Sequence, residues 1–283
     1  MYLITPETES LIDRAIYEDL SIGDPTTDLL IPPDLQGAAA FVSKAEGMLA
    51  GIDVGLAVFK RVDPALETKV LLQDGALLRP NSLIAEVSGS VASILKAERT
   101  ALNFVRRLSG IATATSEYVR EVQGNHVRII DTRKTTPGLR TLEKYAIRAG
   151  GGHNHRQNLG DGILIKDNHI EALGKMGLSL GDVIRKAHDN KSHTINVEVE
   201  VENLPQVDEA LAAGAEILLL DNMDLEDMAT AVKMCEGRAI TEASGTITLE
   251  RVRAVAETGV DLISVGALTH SSPALDISLD LAT

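Results

Sequence analysis

From residue 127 onward the chain repeats one pattern, and that pattern limits its fold more than any other feature. Short runs rich in Val, Ile and Leu occupy residues 127–130, 163–165, 195–201, 217–220, 239–241 and 262–265. Between them lie polar turns and stretches of helical periodicity, at 139–149, 179–189, 205–213, 225–236 and 249–258. Short apolar strands alternating with helices mean parallel strands joined by crossover helices, since parallel neighbours cannot be linked by a tight hairpin. A chain of six such units with no Gly-rich dinucleotide fingerprint is better accommodated by a barrel than by a doubly wound sheet.

The first hundred residues lack this regularity. Strand-like pieces at 38–44, 68–72 and 83–87 mix with helical ones at 9–20 and 53–62, separated by turn signals such as Asp74-Gly75 and Arg79-Pro80-Asn81. That mixture predicts an α+β unit. Residues 91–122 read as two consecutive helices interrupted around Ser109-Gly110, which makes them a domain boundary. The expected division is an N-terminal α/β sandwich over residues 1–106 and an α/β barrel over 107–267, with the tail 268–283 returning to the first domain. Composition supports a globular, cytosolic, small-molecule protein: 44% hydrophobic and 24% charged residues, one cysteine (Cys235), no Trp and a net charge of −14. The acidic balance and scarcity of aromatics argue against nucleic acid. The longest stretch without Asp, Glu, Lys or Arg, residues 262–275, is too short and polar to span a bilayer.

In a βα barrel, chemistry collects where strands end. Those ends carry Asp131-Thr132-Arg133-Lys134, Lys166-Asp167-Asn168-His169, Glu198 with Glu200, Asp221-Asn222, Glu242 with Ser244-Gly245, and Gly266. Asp167, Asn222 and Ser244 could be ordinary helix N-caps, but capping does not account for the whole set. In the 195–201 strand, Ile195, Val197, Val199 and Val201 point one way while Asn196, Glu198, Glu200 and Glu202 point the other. An antiparallel strand with one wet face would also show this alternation. Among parallel strands the valines must meet the helices, so the glutamates face the barrel interior. With Asp221 on the next strand they form an oxygen-donor set suited to Mg²⁺ or sugar hydroxyls, with Glu200 favoured because it lies nearer the strand end.

Charge is unevenly distributed. Residues 131–169 hold seven basic residues against four acidic ones, so an acidic chain contains one cationic segment. Arg140 and Lys144 read as a solvated helix face. Arg133, Lys134, Arg156 and Lys166 sit at turns beside strand ends, where binding of anions is expected. Gly150-Gly151-Gly152 leaves room for a close approach. Ser244-Gly245-Thr246 before a helix, and Val265-Gly266 after the last strand, suit a phosphate cradle.

These motifs resemble the quinolinate phosphoribosyltransferase family. The likeness rests on Asp131-Thr132-Arg133-Lys134-Thr135, Pro137-Gly138-Leu139, Asn154-His155-Arg156, Leu164-Ile165-Lys166-Asp167-Asn168-His169 and Glu198-Val199-Glu200. It continues through Leu219-Leu220-Asp221-Asn222, Ala243-Ser244-Gly245 and Val265-Gly266-Ala267, and upstream through Glu98-Arg99-Thr100. The resemblance implies an α/β sandwich followed by an incomplete α/β barrel, in a homodimer that contributes Arg99 across the interface. It implies transfer of phosphoribosyl from 5-phosphoribosyl-1-pyrophosphate to quinolinate with Mg²⁺, releasing pyrophosphate and CO₂ and leaving nicotinate mononucleotide. By the same likeness Arg99, Arg133, His155, Arg156 and Lys166 surround quinolinate, Thr132 is a further substrate-binding residue, and Lys134 also faces the phosphoribosyl donor. Glu200 and Asp221 hold the ribose hydroxyls and Mg²⁺. Ser244, Gly245 and Thr246, with Ser264, Val265 and Gly266, hold the 5′-phosphate. Lys134, Lys166, Glu200 and Asp221 are the expected catalytic groups. One departure is Thr246, where the family has a second glycine. Two rivals remain at this point: a pyrophosphorylase-like protein associated with molybdenum transport, and a Schiff-base lyase using Lys166.

Overall fold

The structure is a computed structural model that describes residues 3–282 and divides into two compact units. The first comprises the chain up to Ser116, Thr135–Gly151, and the chain from Leu268 onward; the second comprises Glu117–Lys134 and Gly152–Ala267.

In the first unit an antiparallel sheet runs in the order Ile277–Ala282, Gln36–Ser43, Leu83–Ser90, Glu67–Val70. The helix Ile52–Val62 buries Ile52, Val54, Leu56, Val58 and Phe59 along one face, and Phe59 meets Phe41 of the sheet edge-to-face with centroids 5.8 Å apart. The C-terminal strand pairs with Gln36–Ser43 in register from Ala38–Ala282 to Ser43–Ile277.

Two expectations are corrected here. Residues 91–121 form one unbroken helix, Val91–Glu121, rather than two. Gly110 does not interrupt it: a Cβ there would lie 1.9 Å from the Pro273 carbonyl oxygen, so the glycine admits the returning tail. By contact the first unit extends to Ser116, and Thr135–Gly151 packs into it. There Tyr145 Oη donates to Asp74 Oδ2 at 2.7 Å. Lys144 is 1% exposed, not part of a solvated face, because the helix Arg140–Ala149 also buries Leu142, Glu143, Ala146 and Ile147.

The second unit is the expected run of parallel strands. The sheet order is Arg128–Ile130, Leu262–Ser264, Ile240–Ser244, Ile217–Asp221, Val197–Val201, Ile163–Ile165. Its two edge strands are not laddered to each other among the described residues, so the barrel is incomplete. His153 partly closes the gap. It pairs in parallel with Ile130, donating its N–H to Ile129 O at 2.8 Å and accepting from Asp131 N–H at 3.1 Å. The sequence pattern did not disclose the helix Asp167–Gly174, which buries no residue and so has no apolar periodicity to display. Among the described residues no helix is long and apolar enough to cross a membrane.

Candidate active site

The strand Val197–Val201 folds as its alternation requires. Val197, Val199 and Val201 are fully buried, while Glu198 and Glu200 face the interior of the sheet. Asn222 and Ser244 are not helix caps. The helices after their strands begin later, with Asp224, which accepts from Asp227 N–H, and Thr248 at their N-cap positions. Both side chains therefore stay at the strand ends, where a cavity of about 560 Å³ opens.

This mouth cavity is chemically divided. From the first two strand ends and the turn after His153 come Thr132, Arg133, Lys134, Arg156 and Lys166. From the other strand ends come Glu200, Asp221, Asn222, the Ser244–Gly245–Thr246 loop and Ser264. Lys166 Nζ lies 3.4 Å from Glu200 Oε2, where the two halves meet. Asn222 Nδ2 donates to Asp221 Oδ2 at 3.1 Å. The loop is cramped: Gly245 has φ +89°, Thr246 +45° and Asn222 +54°, and a Cβ on Gly245 would fall 2.2 Å from Asn222 Oδ1. That close approach requires glycine.

Two groups fix the Asn154-His155-Arg156 turn. Asp131, fully buried at the first strand's end, accepts from His155 N–H at 2.8 Å and from Asn154 Nδ2 at 2.7 Å. Arg156 Nη1 donates to Gly162 O at 3.1 Å, and its Nε is buried with no partner. Desolvation and the neighbouring Arg133 charge push the Arg156 pKa down, with Glu198 and Asp161 opposing them. Two guanidiniums held together in a half-buried site create a strong demand for an anion.

Most sequence-expected residues converge on this cavity, with three exceptions. Val265 is buried and donates its N–H to Ile130 O rather than lining the cavity, and from its segment Ser264 is the lining side chain. Gly266 likewise follows that strand without lining the cavity. Arg99 belongs to the first unit, on the Val91–Glu121 helix, and its side chain is 58% exposed beside a cavity shared with Glu18, Asn103 and Phe104. Glu242 and Asn222, placed at strand ends by the sequence but given no role there, also line the mouth cavity. Glu242 shares its side of the sheet with Ser244, two residues on, and that parity was the available signal.

A second cavity of about 680 Å³ lies at the strand starts, where it meets Arg128, Asn196, Ile217 and Leu262. His155, Arg156 and Glu242 line both cavities and so form the floor between them.

Glu200 and Asp221 are hard oxygen donors at a polar cavity rim, the donor chemistry that Mg²⁺ prefers. The deeper group of His155 Nε2 with Glu198 and Glu242 carboxylate oxygens, all within 4.8 Å, also has metal-like spacing. It is not a metal-ligand set. His155 Nδ1 accepts from Arg156 N–H at 2.6 Å, so a neutral ring carries its proton on Nε2, the atom a metal would need.

Comparison with known proteins agrees with this geometry. Residues 24–109 match the family described as Quinolinate phosphoribosyl transferase, N-terminal domain, and residues 111–280 match its C-terminal domain. The chain belongs to the quinolinate phosphoribosyltransferase family. A Bacillus subtilis protein named probable nicotinate-nucleotide pyrophosphorylase (carboxylating) is 43% identical, over 97% of this chain and 93% of its own length. The Mycobacterium leprae protein of that name is 44% identical over 95% of each chain. The crystal structure of NadC from Streptococcus pyogenes superimposes with a TM-score of 0.94 at 40% identity, covering 99% of this chain and 98% of that one.

Proposed function

We propose that this chain is a decarboxylating pentosyltransferase of NAD biosynthesis. It joins quinolinate to 5-phosphoribosyl-1-pyrophosphate and yields nicotinate mononucleotide, pyrophosphate and CO₂. The observation that carries this reading is the division of the mouth cavity, with cations on one side and oxygen donors plus a glycine loop on the other. Arg133, Arg156 and Lys166 suit the two carboxylates of quinolinate, because guanidinium forks match carboxylates and lysine supplies a mobile point charge. Thr132 and His155 border the same part of the cavity. Ser244, Gly245 and Thr246 suit the 5′-phosphate, with Ser264 beside them.

Glu200 and Asp221 would hold Mg²⁺, which supplies charge neutralisation to the departing pyrophosphate. The ring nitrogen of quinolinate attacks C1 of the ribose as the C1–pyrophosphate bond breaks. Positive charge develops on the ribose, and Glu200 and Asp221 face it. The alkylated ring nitrogen is cationic, so when the C2–carboxylate bond breaks, its electron pair is stabilised on C2 and CO₂ leaves. Lys134 and Lys166 offset the substrate charge before this step, and one of them returns a proton to C2.

The reading includes a homodimer in which Arg99 completes the partner's site. It is supported by exposed Ile22, Leu29 and Leu30 on the same unit as Arg99, and by Lys96 pairing with Asp28 at 2.6 Å beside them. A cytosolic setting is part of the same reading, in keeping with the single cysteine.

The deciding assay combines purified protein, quinolinate, phosphoribosyl pyrophosphate and Mg²⁺, with nicotinate replacing quinolinate as control. Stoichiometric release of CO₂ and pyrophosphate with quinolinate alone is expected. Equal turnover of nicotinate would refute decarboxylation.

A further inference from the structure

We propose that Glu198 is a positioning residue for the dicarboxylate half of the site, acting on Arg156 through His155 from beneath the cavity floor. The inference rests on the functional reading above. Glu198 is 6% exposed and lines the lower cavity but not the mouth cavity, so it reaches the substrate site through other side chains.

The path is a chain of contacts. Glu198 Oε2 lies 3.4 Å from His155 Nε2, and Glu242 Oε2 lies 3.7 Å from the same nitrogen. His155 Nδ1 accepts the Arg156 backbone N–H at 2.6 Å, which leaves the proton on Nε2, facing the carboxylates. Through these two nitrogens the imidazole serves as a strut between Glu198 and the Arg156 backbone. From the other side Asp131 holds the His155 N–H, so the turn that presents Arg156 is gripped above and below. The remaining oxygens, Glu198 Oε1 and Glu242 Oε1, are buried without partners.

If reach is what matters, the position of the Glu198 oxygen counts for more than its charge, and two conservative variants separate these effects. Glu198→Gln keeps an acceptor oxygen at the same distance and loses the charge. Glu198→Asp keeps the charge and withdraws the oxygen by one methylene. We expect kcat/KM for quinolinate within about threefold of wild type in Glu198→Gln and about tenfold lower in Glu198→Asp, with KM for phosphoribosyl pyrophosphate unchanged in both. The reverse order, or equal loss for both substrates, would overturn the proposal. Nitrogen NMR of the imidazoles, with His155 assigned by its His155→Gln variant, adds a readout on wild-type protein. A bare Nδ1 and a protonated Nε2 at neutral pH are expected, and a charged or Nδ1–H ring would also overturn it. Failure of the functional reading looks different: wild-type protein would bind quinolinate without turnover, while direct quinolinate binding and the tautomer still report on Glu198.

Discussion

Glu198 and Glu200 sit two residues apart on one strand, face the same side of the sheet, and meet opposite conditions. Glu198 is buried in the floor beside a histidine and a second carboxylate, whereas Glu200 borders the mouth cavity next to Lys166. Two residues along a strand is roughly 7 Å. In a barrel whose interior is polar, that step carries a carboxylate from beneath the mouth cavity, beside His155, to its rim, where it can meet a ligand. The same depth rule separates Glu242, in mid-strand, from Ser244 at the strand end. Layers of branched apolar side chains ordinarily fill a barrel lumen. Here a polar floor divides it into two cavities.

The comparison breaks most visibly at Glu200. Glu200→Ala should lower kcat/KM by about 10²–10³ if the group faces developing charge in the transition state. Its thermal midpoint should shift by less than about 2 °C, since the side chain is already partly solvated and its Lys166 pair is worth little to stability. Steady-state kinetics with both substrates and a thermal melt check this. A variant that retains activity, or one that unfolds, would place Glu200 with the structural carboxylates below it.

Glu242 should behave in the opposite way, through stability and its dependence on pH. Burial, reinforced by the Glu198 charge and opposed by His155, pushes its carboxyl from the ordinary 4.5 up to about 8. Between those values the folded chain holds a proton that the unfolded chain has released. This group's contribution to stability therefore falls as pH rises from about 4.5 to 8, by at most a few kcal/mol. Glu242→Gln cannot ionise and should flatten that slope. Urea denaturation at a series of pH values measures it, and an unchanged slope would assign the pH dependence to other groups.

Much of this was legible in the residues. The six strands of the second unit were readable because each is a short β-branched run bounded by turns, and the opposite faces of Val197–Val201 were readable because parity is exact in a strand. Arg133, Lys134, Arg156 and Lys166 stood out as cations placed at turns. Other features depend on tertiary context. Gly110 looked like a break because a helix-internal glycine usually costs stability, and only the Pro273 carbonyl shows why it is there. Lys144 has the spacing of a surface lysine, yet it is buried along with Leu142, Glu143, Ala146 and Ile147, while Arg148 one turn on is exposed. The roles of Glu198 and Glu242 depend on the turn after His153 filling the open side of the sheet, a closure with no periodicity of its own.

The smallest expected effect lies at the mouth's other rim, where Thr246 occupies a backbone conformation that favours glycine. A β-branched residue at φ +45° costs on the order of 1–3 kcal/mol in the folded state. Thr246→Gly removes that strain but gives the unfolded chain more freedom, worth roughly 0.4–1 kcal/mol in the opposite direction. The midpoint should therefore rise by only a few degrees, since about 1 kcal/mol moves a chain of this size by some 2–4 °C. If backbone N–H groups of the loop hold the phosphate, kcat/KM for phosphoribosyl pyrophosphate stays within about threefold. A larger loss confined to that substrate would show that the threonine hydroxyl itself binds phosphate, and the strain would then be retained for function. Gly245→Ala is the contrasting control. Its added methyl meets the Asn222 amide at 2.2 Å, so it should impair the loop whatever Thr246 contributes.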